Sequence, residues 1–210
     1  MRYKYPRTFH LPFSRGYTSD DKVLENDNHF IGKNVVITEK MDGENTSIYN
    51  NGFHARSIDS SNKPYHSWLI GYMQNFMYSI PDEYRICGEY LYAKHSIGYS
   101  ELPSFFLAFS VWNNNCCLSW KDTEAFCKNL KINTVPVLYK GIYDSKTVKK
   151  IAEDVVKRGG EGIVVRLMDS FKYEEFPLSV AKYVRENHVQ TDKHWSFSKI
   201  EKNALKNSEI

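Results

Sequence analysis

Asn34-Val35-Val36-Ile37-Thr38-Glu39-Lys40-Met41-Asp42-Gly43-Glu44-Asn45 is the stretch on which the reading of this chain turns. Residues 34–39 are rich in β-branched side chains and predict a strand, and Gly43 marks a bend after which Thr46-Ser47-Ile48-Tyr49 resumes as a second strand. The turn Asn50-Asn51-Gly52 then folds Phe53 to Ser57 back as a third. Lys40 thus stands at the end of an apolar strand, just before a tight turn. An amine there is an ordinary surface cation unless its pKa is depressed; beside metal ions or other cations it can lose its proton and become a nucleophile that forms a covalent intermediate. Gly43 would let the chain turn closely past a bound phosphate or base. Taken alone, the tetrapeptide K-x-D-G equally describes a solvated hairpin lysine.

Outward from this hairpin, Arg85 to Tyr92 and the apolar run Phe105 to Trp112 predict two central strands. Helices are expected over Trp68–Tyr78 and from a capping box at Ser119-Trp120-Lys121-Asp122 to about Leu130. A third is marked by Val148, Ile151, Ala152, Val155 and Val156, capped by Asp144 or Ser145 and stopped by Gly159-Gly160. Gly162 to Leu167 and Ser179 to Arg185 predict the last strands, the latter with Lys182 and Val184 on one face and Tyr183 and Arg185 on the other. Strands and helices mix without a regular βαβ rhythm, which defines an α+β class built on antiparallel sheets.

The 210 residues fit one compact unit, expected over residues 1–195, with a polar, helical tail at 196–210. With 41% hydrophobic and 25% charged residues, disordered, collagen-like and coiled-coil classes are set aside. No stretch approaches the roughly 20 apolar residues of a membrane helix, and the start lacks an apolar leader core. A cytoplasmic protein without membrane contact is therefore expected. The net charge of +3 allows a basic groove but not the pervasive basicity of a protein that coats nucleic acid. Cys87, Cys116, Cys117 and Cys127 lack C-x-x-C spacing, so a reducing compartment and no zinc site are expected, with Cys116-Cys117 packing at a strand end. Aromatic content reaches 15%; rings beside cations can stack bases, though most fill cores.

Further signals follow the lysine in a fixed order. Arg56 lies on the strand paired back toward the first hairpin. Glu89, in Cys87-Gly88-Glu89-Tyr90, is a carboxylate inside an apolar strand and needs a partner there, either a ribose hydroxyl or a structural salt bridge. One ring of the run Phe105 to Trp112 could face a purine. Glu161, between two glycines, opens a buried strand and offers a hard oxygen ligand to a divalent metal. Lys182 closes the series.

In this order, Lys40 in K-x-D-G, Arg56, Gly88-Glu89, the aromatic strand, Glu161-Gly162 and Lys182 resemble motifs I, Ia, III, IIIa, IV and V of the covalent nucleotidyltransferases, the superfamily of ATP-dependent polynucleotide ligases and mRNA capping enzymes. Within it the chain looks closest to the RNA ligase family. The phrases Tyr5 to Pro12, Glu39 to Asn45, His95 to Tyr99 and His188 to Trp195 are similar to short RNA-ligase-like proteins, and the resemblance covers nearly the whole chain. It implies a nucleotidyltransferase domain (ATP-grasp-like, the catalytic domain of ligases) on antiparallel sheets. It also implies a three-step reaction: Lys40 attacks the α-phosphate of ATP to give lysyl-AMP, AMP passes to an RNA 5′-phosphate, and a 3′-hydroxyl displaces it, sealing or repairing RNA ends. The resemblance would make Glu39, Lys40, Arg56, Glu89, Phe109, Glu161 and Lys182 the nucleotide site. Arg56 and Glu89 would meet the ribose or phosphate-side groups, and Phe109 would stack on adenine, with Phe105 and Phe106 as competitors. Glu161 would hold Mg2+ or Mn2+, and Lys182 would contact the α-phosphate.

Two departures stand out. The family commonly has a second motif V lysine where this chain has Val184, so the missing charge must come from Arg185, Arg166 or elsewhere, or not at all. The chain ends soon after motif V, which leaves no room for an OB-fold domain and assigns end recognition to the catalytic domain, to a separate protein, or to a tail with Lys199, Lys202 and Lys206. Two other readings share these residues: a nucleotide- or RNA-binding module that has lost strand joining, and a DNA ligase or GTP-using capping-type enzyme. His10, His54, His95, His188 and His194 read as surface or core residues, with no Ser-His-Asp arrangement.

Overall fold

A computed structural model describes residues 2–186 and 200–206. Among the described residues the strands are β1 (Phe9–His10), β2 (Asn34–Lys40), β3 (Glu44–Tyr49), β4 (Gly52–Ala55), β5 (Tyr84–Tyr90), β6 (Phe106–Asn113), β7 (Cys116–Cys117), β8 (Val137–Ile142), β9 (Gly162–Leu167), β10 (Phe171–Lys172) and β11 (Val180–Val184). Helices are α1 (Ser67–Met73), α2 (Trp120–Asn129), α3 (Ser145–Lys157) and α4 (Phe176–Ser179). The strands form two sheets, ordered β1-β11-β9-β2-β8 and β10-β7-β6-β5-β3-β4. The pairs are antiparallel except β1 with β11.

Alternation along the strands builds the layers. Val35 and Ile37 of β2, Ile163 and Val165 of β9, and Ala181 and Tyr183 of β11 pack with Val148, Ala152 and Val155, the apolar stripe of α3. Residues of the other parity, among them Thr38, Lys40, Val164, Arg166, Val180 and Lys182, face the second sheet. That sheet packs Ile48, Ile86, Tyr90, Phe106 and Val111 against Leu69 and Met73 of α1 and Trp120 and Cys127 of α2. A third cluster of Cys87, Trp112, Cys117, Phe171, Phe176 and Val180 closes one end of the space between the sheets. The antiparallel α+β class expected from the sequence is the one observed.

The helix caps are those the sequence predicts: Ser119 Oγ accepts the Asp122 amide at 3.1 Å and Asp144 Oδ2 accepts the Thr147 amide at 2.8 Å. Other boundaries differ. The helix expected over residues 68–78 ends at Met73, because Asn75 donates from its side chain and its amide to the Tyr72 carbonyl and diverts the helical ladder; a single 3₁₀ turn follows at Met77–Ser79. The strand expected to run to Ser57 ends at Ala55, whose amide donates to Ser60 Oγ, so Arg56 sits in the following bend.

Residues 200–206, where a helical tail was expected, run extended along the 91–102 loop. The Lys94 amide donates to the Glu201 carbonyl, that of Asn203 to Tyr92, that of Ala204 to Tyr99, and that of Leu102 to Ala204. Asn203 is buried: its Oδ1 accepts the Tyr99 amide and its Nδ2 donates to the Leu91 carbonyl, both at 2.8 Å. These bonds replace those a helix would make. The phrase His188 to Trp195 and the rest of the tail lie outside the described residues.

Candidate active site

The bend between β2 and β3 carries the chain from one sheet to the other, and the sequence Lys40-Met41-Asp42-Gly43 is that crossing. Each of its residues has a distinct physical task. A Cβ on Gly43 would lie 2.5 Å from the Tyr90 carbonyl oxygen, so glycine is needed for close approach to β5. The sequence reading gave that glycine to a passing ligand; the structure gives it to the neighbouring strand. Asp42 turns to the 95–99 loop, its Oδ2 accepting the Ser96 amide (2.8 Å), the Ser96 hydroxyl (2.6 Å) and the Ile97 amide (2.9 Å). The Asp42 amide donates to the Tyr99 hydroxyl at 2.9 Å. This loop in turn carries residues 200–206.

Register brings the charged groups together. Lys40 pairs with Gly162, which sets the preceding Glu161 beside it, and Lys40 Nζ donates to Glu161 Oε2 at 2.7 Å across 121 residues of sequence. Gly162 tolerates no side chain, since a Cβ there would overlap the Tyr183 carbonyl of β11. Glu161 is buried, and Lys40 remains about a quarter exposed. Burial favours the neutral amine of Lys40, but the carboxylates of Glu161, Glu89 and Asp42 outweigh it and hold its pKa above the ordinary lysine range. Burial likewise lifts Glu161, against the opposing charge of Lys40. Glu89 pairs with Asn45 on β3, its Oε1 accepts the Gly43 amide at 3.2 Å, and burial together with Glu161 and Asp42 pushes its pKa up to about 8 despite Lys40.

The cavity between the sheets has a volume of about 270 Å3 and is lined by Glu39, Lys40, Arg56, Glu89, Phe109 and Lys182 among others. With Glu161 bonded to Lys40, all seven residues singled out in the sequence gather here. They are not equivalent. Glu39 borders the cavity, yet strand alternation turns its side chain with Val35 and Ile37, and its Oε2 accepts from Arg158 Nη2 at 2.7 Å. Arg56 is exposed at the edge. Phe109 owes its place to a β-bulge: Cys87 pairs with Ser110 and Gly88 with Ala108, so Phe109 is the extra residue. The bulge lets both Phe109 and Ser110 reach the cavity, while Phe105 and Phe106 are buried in the core. Tyr5 meets the Phe109 ring edge-on, centroids 5.2 Å apart.

Where a second lysine was looked for, Val184 is buried, and Arg185 is not among the residues that line the cavity. Arg166, the other candidate, lines the cavity. Its Nη2 donates to the Leu118 carbonyl at 2.7 Å, and its guanidinium lies 5.3 Å from the Phe171 ring centre and 5.6 Å from that of Trp120. The sequence reading also missed the N-terminal wall of Tyr5, Pro6, Arg7 and Thr8, together with Asp20 and Asp21. The phrase Tyr5 to Pro12 was the one signal of it.

A divalent cation was expected at Glu161. Among the described residues no three His, Cys, Asp or Glu side chains form a metal-holding group. One buried carboxylate suits an ion that keeps water and substrate oxygens in most of its shell, as Mg2+ does, rather than a protein cage. Glu161 thus fits such an ion as a single hard ligand.

Two antiparallel-rich sheets enclosing a lysine–carboxylate pair and an aromatic-walled cavity lined by both cations and carboxylates define a nucleotidyltransferase-type ligase fold. The RNA ligase family model matches residues 33–184, well over half of the chain, and the protein belongs to that family. Among solved structures it is similar to an archaeal ATP-dependent RNA ligase, with a TM-score of 0.60 and 17% identity over 87% of this chain and 48% of that one. It is also similar to a putative ATP-dependent DNA ligase from Aquifex aeolicus (TM-score 0.59, 19% identity, 88% and 50% covered). A Naegleria gruberi RNA ligase with PPi matches with a TM-score of 0.58 and 14% identity over 90% of this chain and 64% of that one. The chain spans about half the length of the archaeal and Aquifex proteins and under two-thirds of the Naegleria one. No curated protein sequence matches it. No described helix is long and apolar enough to cross a membrane.

Proposed function

We propose that this chain is the adenylylation domain of an ATP-dependent RNA ligase acting through Lys40. The observation that carries the proposal is the Lys40–Glu161 contact of 2.7 Å on the wall of a cavity also lined by Arg56, Glu89, Phe109, Arg166 and Lys182. Phe109 stacks on adenine, Glu89 with its raised pKa donates a hydrogen bond to a ribose hydroxyl, and Lys182 and Arg166 neutralise the phosphates. Lys40 Nζ forms a bond to the α-phosphorus as the bond to the β-phosphate oxygen breaks, and pyrophosphate leaves with that electron pair. An oxygen of an RNA 5′-phosphate then takes the AMP and returns the amine, and a 3′-hydroxyl attacks the activated phosphate with AMP as leaving group.

The ammonium of Lys40 must first give up a proton, and Glu161, aimed along the N–H bond, is placed to hold it. A divalent cation, Mg2+ or Mn2+, bound at Glu161 would supply positive charge that weakens the lysine's hold on its proton and offsets charge at the phosphates. The cations Arg7 and Arg56 at the cavity offer contacts for the phosphates of the RNA ends.

The test is sealing of a 5′-phosphate-labelled RNA strand to a 3′-hydroxyl RNA, with matched DNA strands and with GTP in place of ATP. ATP-dependent joining of RNA supports the proposal. Adenylylated protein without joined product points instead to a module that keeps the first step and lacks strand joining; preference for DNA or GTP points to the other substrate classes.

A further inference from the structure

A second cluster of titratable side chains reaches the cavity from residues 10–21, packed against β11. The Leu11 amide donates to the Lys182 carbonyl at 2.8 Å and the Gly16 amide to Val184 at 2.9 Å, tying this segment to the strand that carries the lysine. Ser14 Oγ accepts the Val184 amide at 3.0 Å, so its own proton is free for His10 Nδ1, 2.8 Å away. The neutral imidazole then keeps its hydrogen on Nε2, which lies 3.5 Å from Asp21 Oδ1. The same carboxylate oxygen lies 3.5 Å from Lys182 Nζ, while Oδ2 accepts the Thr18 amide and hydroxyl, each at 3.1 Å. His10 and Ser14 are buried, and Asp21 lines the cavity.

We propose that Asp21 is a positioning residue for Lys182: it is the counter-ion that keeps the ammonium charged and aimed into the cavity, and the backbone bonds of His10 with Lys22 and Leu24 and of Leu11 with Lys182 hold its segment against the strand that carries the lysine. The assignment rests on the ligase reading, in which Lys182 meets the α-phosphate. Its need arises from Val184: with no second lysine on this strand, the one present has to stay protonated in a place that disfavours charge. Burial and the nearby Lys40 lower the pKa of Lys182, and Asp21 and Glu161 oppose them. Burial raises Asp21, but the Thr18 bonds and the charge of Lys182 prevail and bring it down to about 2, so it is an anion throughout the working range. Lys182 therefore feels Asp21 from the 10–21 segment, Lys40 from β2 and Glu161 from the start of β9.

Removing the Asp21 charge lowers the pKa of Lys182, so the alkaline limb of AMP-adduct formation moves to lower pH. The experiment measures that limb on the full chain with ATP and Mg2+ for wild type, Asp21→Asn, Asp21→Ser and Asp21→Glu, and for Asp21→Asn in a Lys182→Arg background. Asn and Ser both keep an acceptor for the Thr18 amide, so the second covers misfolding of the first. The expected result is an acid shift of about one pH unit or more in both neutral variants, none in Asp21→Glu, and none from Asp21→Asn when an arginine, which does not titrate, replaces Lys182. A limb that stays in place in the neutral variants, or moves equally in the arginine background, overturns the assignment while leaving the ligase reading intact. Absence of an adduct on wild type at every pH overturns the ligase reading, and the assignment with it.

Discussion

Glu89 shows how one buried carboxyl ties the cavity to pH. Its folded pKa of about 8 lies above the ordinary value of 4.5, so the folded protein holds a proton that the unfolded chain releases. Stability from this group is fully present below the unfolded value and is lost as pH rises toward 8. His29 and His54, both lowered by burial from 6.5, work in the opposite sense near that value, where the unfolded imidazoles are half-protonated, and fade about one pH unit above it. Between about pH 7.5 and 8 the Tm of the ligand-free protein should therefore fall, and Glu89→Gln should flatten the slope in thermal melts. Glu89 was legible in the sequence as a carboxylate in an apolar strand; its protonation was not, because that depends on Lys40, Asp42 and Glu161 converging from other segments. Lys40 shows the same limit from the other side. A lysine that loses its proton beside metal ions or other cations was the reading from sequence, and the structure surrounds it with acidic groups, Glu161 foremost, that hold the proton on.

Among the elements, β2, β3, β9 and β11 were readable because alternation fixes which residues share a face. β8 was missed: its sequence Val137-Leu138-Tyr139-Lys140-Gly141-Ile142 is an edge strand, largely exposed, with neither clear alternation nor an apolar run. The bulge in β6 was also invisible, since nothing in the run Phe105 to Trp112 marks which residue is the extra one. Yet the bulge separates the fates of neighbouring phenylalanines. Phe109→Ala should weaken ATP binding by about 1–3 kcal/mol, the loss of one stacked base, measured by calorimetry. Phe106→Ala, in the core, should lower folding stability by about 3–5 kcal/mol in denaturant titrations. Equal effects of the two on ATP binding, with folding intact, would contradict the placement of the ring by the bulge.

Across the whole molecule, the two-sheet architecture follows from a chain whose strands alternate and whose helix α3 shows one apolar stripe, which is why the fold class was readable from sequence. The docking of residues 200–206 was not, because a polar segment bound mainly through backbone groups leaves no periodic signal. Asn203 is its one buried polar anchor in that segment. Asn203→Ala, which strands the Tyr99 amide and the Leu91 carbonyl, should destabilise the protein by about 1–3 kcal/mol, seen as a lower midpoint in urea. Through Tyr99 and Asp42 this segment is also joined to the Lys40 bend. The most direct measurement is the intact mass of the protein before and after incubation with ATP and Mg2+ or Mn2+, beside Lys40→Ala. An added mass of one AMP on wild type, absent from Lys40→Ala, is the result expected of a lysyl-AMP enzyme. No added mass on wild type, or the same mass on both proteins, would contradict the central role given to Lys40.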